Sequence, residues 1–301
     1  MAKKTGAWDL RCNEAVLSAM LTHPRYRDAG DFARRGVEVV TRGDWSFAFH
    51  LPAEEAHDAL APALETIARK QQRSGMWFRK NAEAHSWGIL RALKHSGHLD
   101  EMIANGRLRH DPFQGFAARN DAWGLLVRRN IMGRPADGDD ALQARLVDKI
   151  ISEQMPDGDW DGAVSATALR IERLLDLGMY RGNPPLDRAG KWILGQFRES
   201  VERRRPRASW SIFIPDTFTA DCGAEFRAAQ RLLPELTMAR ACFASIPILQ
   251  TALAVRALVR LGRGDDKRVI RACESLLEME VKPHEKSAGK VKLHPGWCAH
   301  Q

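Results

Sequence analysis

Apolar positions along this chain recur mainly at helical spacing. The clearest run follows Trp160, where Val164, Ala168, Ile171, Leu174 and Leu175 fall on one helical face and Gly178 supplies a C-terminal stop. A second helix is predicted through Ala189, Trp192, Ile193 and Leu194 to Gln196, and another carries Trp87, Ile89, Leu90 and Leu93. A later pair is expected over 248–261 and 269–277, joined by Gly262-Arg263-Gly264-Asp265-Asp266. Proline and glycine cluster between these segments, and no pair of alternating runs predicts strands. The pattern is that of an all-α protein.

The turns between helices repeat. Gln154-Met155-Pro156-Asp157-Gly158-Asp159-Trp160 and Gln71-Gln72-Arg73-Ser74-Gly75-Met76-Trp77 share one plan, and Gly43-Asp44-Trp45 is a weaker copy without the Gln. A Gln side chain can satisfy orphan backbone groups at a helix end, and an indole can lie over that end. The whole chain, 1–301, is expected to form a single repeat domain in which each unit buries its core against its neighbours. Residues 203–219 form the longest stretch without a helical pattern. They read as an inward-reaching loop carrying Trp210, Phe213 and Phe218.

The Gln…Gly-x-Trp turn resembles the QW motif of the squalene-hopene and oxidosqualene cyclases (the prenyltransferase/squalene oxidase repeat). Protein prenyltransferase β subunits share the α/α-barrel of these enzymes. The resemblance implies an α/α-toroid, a helical repeat barrel. Members of that family are longer than this chain, which is therefore expected to be an incomplete toroid from a longer cyclase or a reduced relative.

The run Thr219-Ala220-Asp221-Cys222-Gly223-Ala224-Glu225 resembles the Asp-Cys-Thr-Ala-Glu motif of oxidosqualene cyclases, with Gly223 in place of Thr. The resemblance implies that Asp221 is a proton donor, supported by Cys222. Cys298, in Gly296-Trp297-Cys298, lies at about the family's distance downstream, although the family's order is Trp-Gly-x-Cys. Protonating an alkene or epoxide needs an acid held neutral in a dry pocket, and desolvation keeps a buried carboxyl protonated. The carbocations that follow need aromatic faces, for which Trp87, Trp123, Trp210, Phe213 and Phe218 are the candidates. The implied activity is a class II, protonation-initiated cyclisation of squalene or oxidosqualene, an isomerase-type intramolecular transfer with an apolar isoprenoid substrate and no cofactor or metal. Read from the residues alone, Asp221 is equally the N-cap of a helix over 224–233. The alternative function is a non-catalytic repeat module binding a protein partner or an anionic surface.

Charge and composition adjust this picture only slightly. The formal net charge is +8, and Arg203-Arg204-Arg205-Pro206-Arg207 is either a solvated loop or a contact for lipid or phosphate. No nucleic-acid motif with interleaved aromatics accompanies it, so no nucleic-acid partner is expected. The longest apolar stretch, 242–255, is interrupted by Ser245, Pro247, Gln250 and Thr251 and reads as a buried helix. Five cysteines without framework spacing suit free thiols. With no apolar signal core after Met1-Ala2-Lys3-Lys4, the expected location is cytoplasmic, with peripheral membrane contact as a further expectation.

Three competing sites are weaker. Asp157–Gly162 looks like half a calcium loop but lacks the closing Glu, Ala168 standing in its place. Asp265-Asp266 reads as a helix cap. Cys298 with His284, His294 and His300 has no standard zinc spacing.

Overall fold

The computed structural model describes residues 7–27, 31–78, 81–197 and 246–278. They are mostly helical with no strand among them. An isolated antiparallel bridge joins Gln71 to Trp77. The chain gathers into two compact units, Asp28–Ser152 in one and Met1–Arg27 with Glu153–Gln301 in the other.

In the Asp28–Ser152 unit, helix Ala82–His95 packs against the 3-10 segment Trp45–His50, which also meets Phe32–Thr41 and Ala53–Leu60. Its buried face is Ser86, Trp87, Ile89, Leu90, Ala92 and Leu93, so the spacing read from the sequence is the spacing that packs. Helix Ala122–Leu126 runs on into a π-helical turn, Val127–Met132. Arg128 on that turn is buried and pairs with buried Asp139, the first residue of helix Asp139–Ser152. Its remaining N–H groups donate to the carbonyls of Phe116, Ala117 and Arg119 at 2.8–3.3 Å, and Asp139 accepts from the Ala136 amide at 2.9 Å. Each partner is thus compensated, the condition under which a buried ion pair is tolerated. The Arg128 hydrogen bond holds the Asp139 carboxyl below its usual range.

In the other unit, helix Val164–Asp176 ends as its glycine suggests: Gly178 (φ +88°) donates to Leu175, and Met179 donates to Leu174. Helix Pro184–Gly195 opens on Pro184-Pro185, which suits the first turn. Helices Ala7–Thr22 and Val164–Asp176 both pack on Ile246–Arg260. That helix is enclosed on all sides: every residue from 248 to 255 is buried. The three run parallel, as the register of their contacts requires. Arg256 meets Glu172 and Arg260 meets Asp176, both across 84 residues. Arg256 also meets Ser18, and His23 meets Gly264. Helix Lys267–Glu278 then folds back onto Ile246–Arg260. No helix among the described residues is long and apolar enough to cross a membrane.

Candidate functional site

The two Gln…Gly-x-Trp turns have the same construction. Gln71 closes helix Leu64–Lys70. Its Nε2 donates to the Gly75 carbonyl at 2.9 Å and to the His110 carbonyl at 3.1 Å, while its Oε1 accepts from the His110 amide at 3.1 Å. One side chain thereby fastens its own turn to a segment 39 residues away. Gln154 Nε2 donates to Gly158 at 2.8 Å and to Pro185 at 2.9 Å, a reach of 31 residues, and its Oε1 accepts from Arg188 at 2.8 Å. The loop backbone matches as well. Gly75 donates to Gln72 and Gln72 to Met76; Gly158 donates to Met155 and Met155 to Asp159.

Both turns depend on their glycine and their tryptophan. Gly75 (φ +80°) and Gly158 (φ +102°) sit in the left-handed region against the segment that the amide clamps. A Cβ on Gly75 would come within 2.0 Å of the Asp111 carbonyl oxygen, and one on Gly158 within 2.8 Å of the Arg188 backbone. Trp77 and Trp160 are both fully enclosed. The Trp77 indole donates to the Ile67 carbonyl at 2.8 Å, one turn back in the preceding helix. A hydroxyl of the following helix accepts each tryptophan amide: Ser86 at 2.8 Å from Trp77 and Thr167 at 3.1 Å from Trp160. Gly43-Asp44-Trp45 departs from this plan. It has no amide to form the clamp, open space surrounds the Gly43 Cβ position, and Trp45 instead begins a 3-10 helix with the Lys70 ammonium 4.9 Å from its ring.

The residues expected to carry chemistry are distributed unevenly. Asp221, Cys222, Cys298, Trp210, Phe213 and Phe218 lie outside the described residues, as do 203–219 and the Cys298–His300 group. Trp87 is buried on helix Ala82–His95, with the Arg91 guanidinium 5.6 Å from its ring and 3.7 Å from that of Phe49. Trp123 is half-buried in helix Ala122–Leu126, which Asp121 caps by accepting the Gly124 amide at 3.0 Å.

The competing sites resolve into local structure. Asp159, from the half calcium loop, closes its own turn by accepting from the Gly162 amide at 2.6 Å. Asp266 accepts from the Arg268 amide at 2.9 Å and pairs with its guanidinium, which lowers the carboxyl's pKa. No group of three or more His, Cys, Asp or Glu side chains suited to a metal occurs among the described residues.

Two further features hold helices together. The first is a polar lane between parallel helices: Glu172 binds Arg256 through both carboxylate oxygens at 2.5 and 2.6 Å, and Ser18 Oγ receives a third bond at 2.8 Å. The second is a set of histidines that fasten helix junctions to backbone carbonyls. His57 reaches Ser96, His98 reaches His57 and His95 reaches Leu51, with the rings of His57 and His98 stacked 4.0 Å apart. Comparison of the chain with protein-family models, with curated proteins and with solved structures gives no match.

Proposed function

We propose that the chain is an α/α-toroid repeat protein of the squalene/oxidosqualene cyclase kind, in which Asp221 is the general acid of a protonation-initiated cyclisation of an apolar isoprenoid. The observation that carries this reading is the duplicated clamp, in which Gln, Gly and Trp play the same parts at 71–77 and 154–160. In each turn the glutamine ties its own loop to a segment 39 or 31 residues further on, past at least one intervening helix, so the two turns stitch distant parts of the chain in the same way. Parallel helices in register add support, because the inner layer of such a barrel is a ring of parallel helices. Within the same unit, the first helix, Ala7–Thr22, also packs against Ile246–Arg260 late in the chain.

The chemistry rests on the Asp221-Cys222-Gly223-Ala224-Glu225 run. A neutral carboxyl in an apolar interior is the donor that an alkene or epoxide requires. Cys222 and Cys298 would donate thiol hydrogen bonds to the carboxylate left behind. The test is turnover of squalene and oxidosqualene by the native chain and by Asp221→Asn, with folding checked by circular dichroism. Cyclised product from the native chain and none from the variant is expected, since an amide has no proton to give. Equal turnover by the two proteins would remove Asp221 from the mechanism.

A second reading, a non-catalytic repeat module binding a partner or an anionic surface, is favoured by one contact. The Arg91 guanidinium already lies against the Trp87 ring that the cyclase reading assigns to a carbocation.

A further inference from the structure

The N-terminal helix is joined to the last described helical pair by a histidine whose hydrogen bonds admit a single protonation state. His23 follows helix Ala7–Thr22 and is 1 % exposed. Its Nε2 lies 3.1 Å from the Gly264 carbonyl oxygen, in the turn between Ile246–Arg260 and Lys267–Glu278. Its Nδ1 accepts from the Arg25 amide at 3.2 Å. A carbonyl only accepts and an amide N–H only donates, so the ring is the neutral Nε2–H tautomer. A second proton at Nδ1 would confront the Arg25 N–H donor to donor, beside the Arg25 charge. Tyr26 lies edge-on to the ring at 4.8 Å, and its hydroxyl donates to the Ile270 carbonyl at 3.4 Å, so the histidine and the tyrosine hold the same pair of helices.

We propose that His23 is an acid-released latch between the N-terminal helix and the helical pair 246–278. The charged groups facing it are Asp265, from the turn it grips, which favours the imidazolium, and Arg25, from its own segment, which opposes it. Burial is the largest effect: it outweighs the Gly264 hydrogen bond and Asp265, which both favour the imidazolium, and lowers the His23 pKa below its ordinary 6.5. It is thus the cost of enclosing the charged ring that loosens the junction. The sign follows. The neutral form is the one the fold prefers, so the latch contributes fully above 6.5, and its contribution is lost as pH falls through 6.5 toward the folded value. Opening grows by about tenfold for each unit that separates the two.

Hydrogen exchange of the full chain, corrected for the intrinsic effect of pH, reads this directly. Between about pH 7.5 and pH 5.5, amides in 14–27 and 261–270 lose protection in the native chain. In His23→Gln, whose amide donates to Gly264 without titrating, they do not. Protection that is flat in the native chain, or that falls equally in both proteins, overturns the latch. Should His23→Gln fail to fold, the His23 Cε1 proton of the native chain decides. A titration midpoint below 6.5 supports the latch, and one at or above 6.5 overturns it.

Discussion

Gln71 and Gln154 bond the equivalent glycine carbonyl of their own turns but differ in burial and in their outer partners, and this difference sets what each contributes. Gln71 is buried and its side-chain carbonyl accepts a backbone amide, whereas Gln154 is half-buried and its carbonyl accepts from the Arg188 side chain. Replacing a buried amide strands the groups it served, at about 1–3 kcal/mol for each unsatisfied group. Gln71→Ala should therefore lower the urea midpoint more than Gln154→Ala does; equal or absent shifts would mean that the amides do not hold the turns. Trp160→Ala should cost about 3–5 kcal/mol, as for any large enclosed aromatic, and a thermal midpoint equal to that of the native chain would contradict the clamp. Cys273 presents the opposite case. It is fully buried, and burial pushes its thiol up to about 12. With almost no thiolate at neutral pH, Cys273 should escape alkylation in the folded protein and react on unfolding, as peptide mapping after iodoacetamide treatment would register.

Among the elements, helices Val164–Asp176 and Ala82–His95 were legible because their apolar spacing matches the face each buries. The clamp turns were legible because their three constrained residues recur together. The lane between parallel helices was not. Arg256 and Glu172 lie 84 residues apart, and each looks like an ordinary solvent-facing charge in its own helix. Local periodicity carries no information about which helices become neighbours. The π-helical turn at Val127–Met132 was not legible either: the buried Arg128–Asp139 pair lies only 11 residues apart, but it joins two separate helices and nothing in their periodicity marks either residue as enclosed. At the candidate acid the limit is of another kind. A short run of residue types specifies functional groups, whereas the burial that keeps a carboxyl neutral depends on everything packed around it.

Glu172→Ala leaves Arg256 without its carboxylate in a largely enclosed position. Because both side chains retain some exposure, the loss should fall near the lower end of the buried-pair range, about 3 kcal/mol. Replacing both partners with leucine and methionine should recover most of it, because the uncompensated charge is then gone. A double variant as unstable as the single one would show that the lane contributes by shape and not by charge pairing.

For the whole molecule, the central claim is that a clamp-stitched helical repeat encloses a proton-driven cyclisation. The clamp and the parallel register concern the scaffold, and a scaffold alone does not determine chemistry. Chemistry is tested most directly by offering squalene and oxidosqualene to the folded chain in deuterated water and weighing the products. Protonation of the squalene alkene by an exchanged Asp221 carboxyl places one deuterium on carbon, where it survives workup in ordinary water. Protonation of the epoxide leaves it on a hydroxyl, where it washes out. The account predicts a cyclised product from at least one substrate, labelled on carbon if that substrate is squalene and unlabelled after workup if it is oxidosqualene. Recovery of both substrates uncyclised from the folded chain would contradict it.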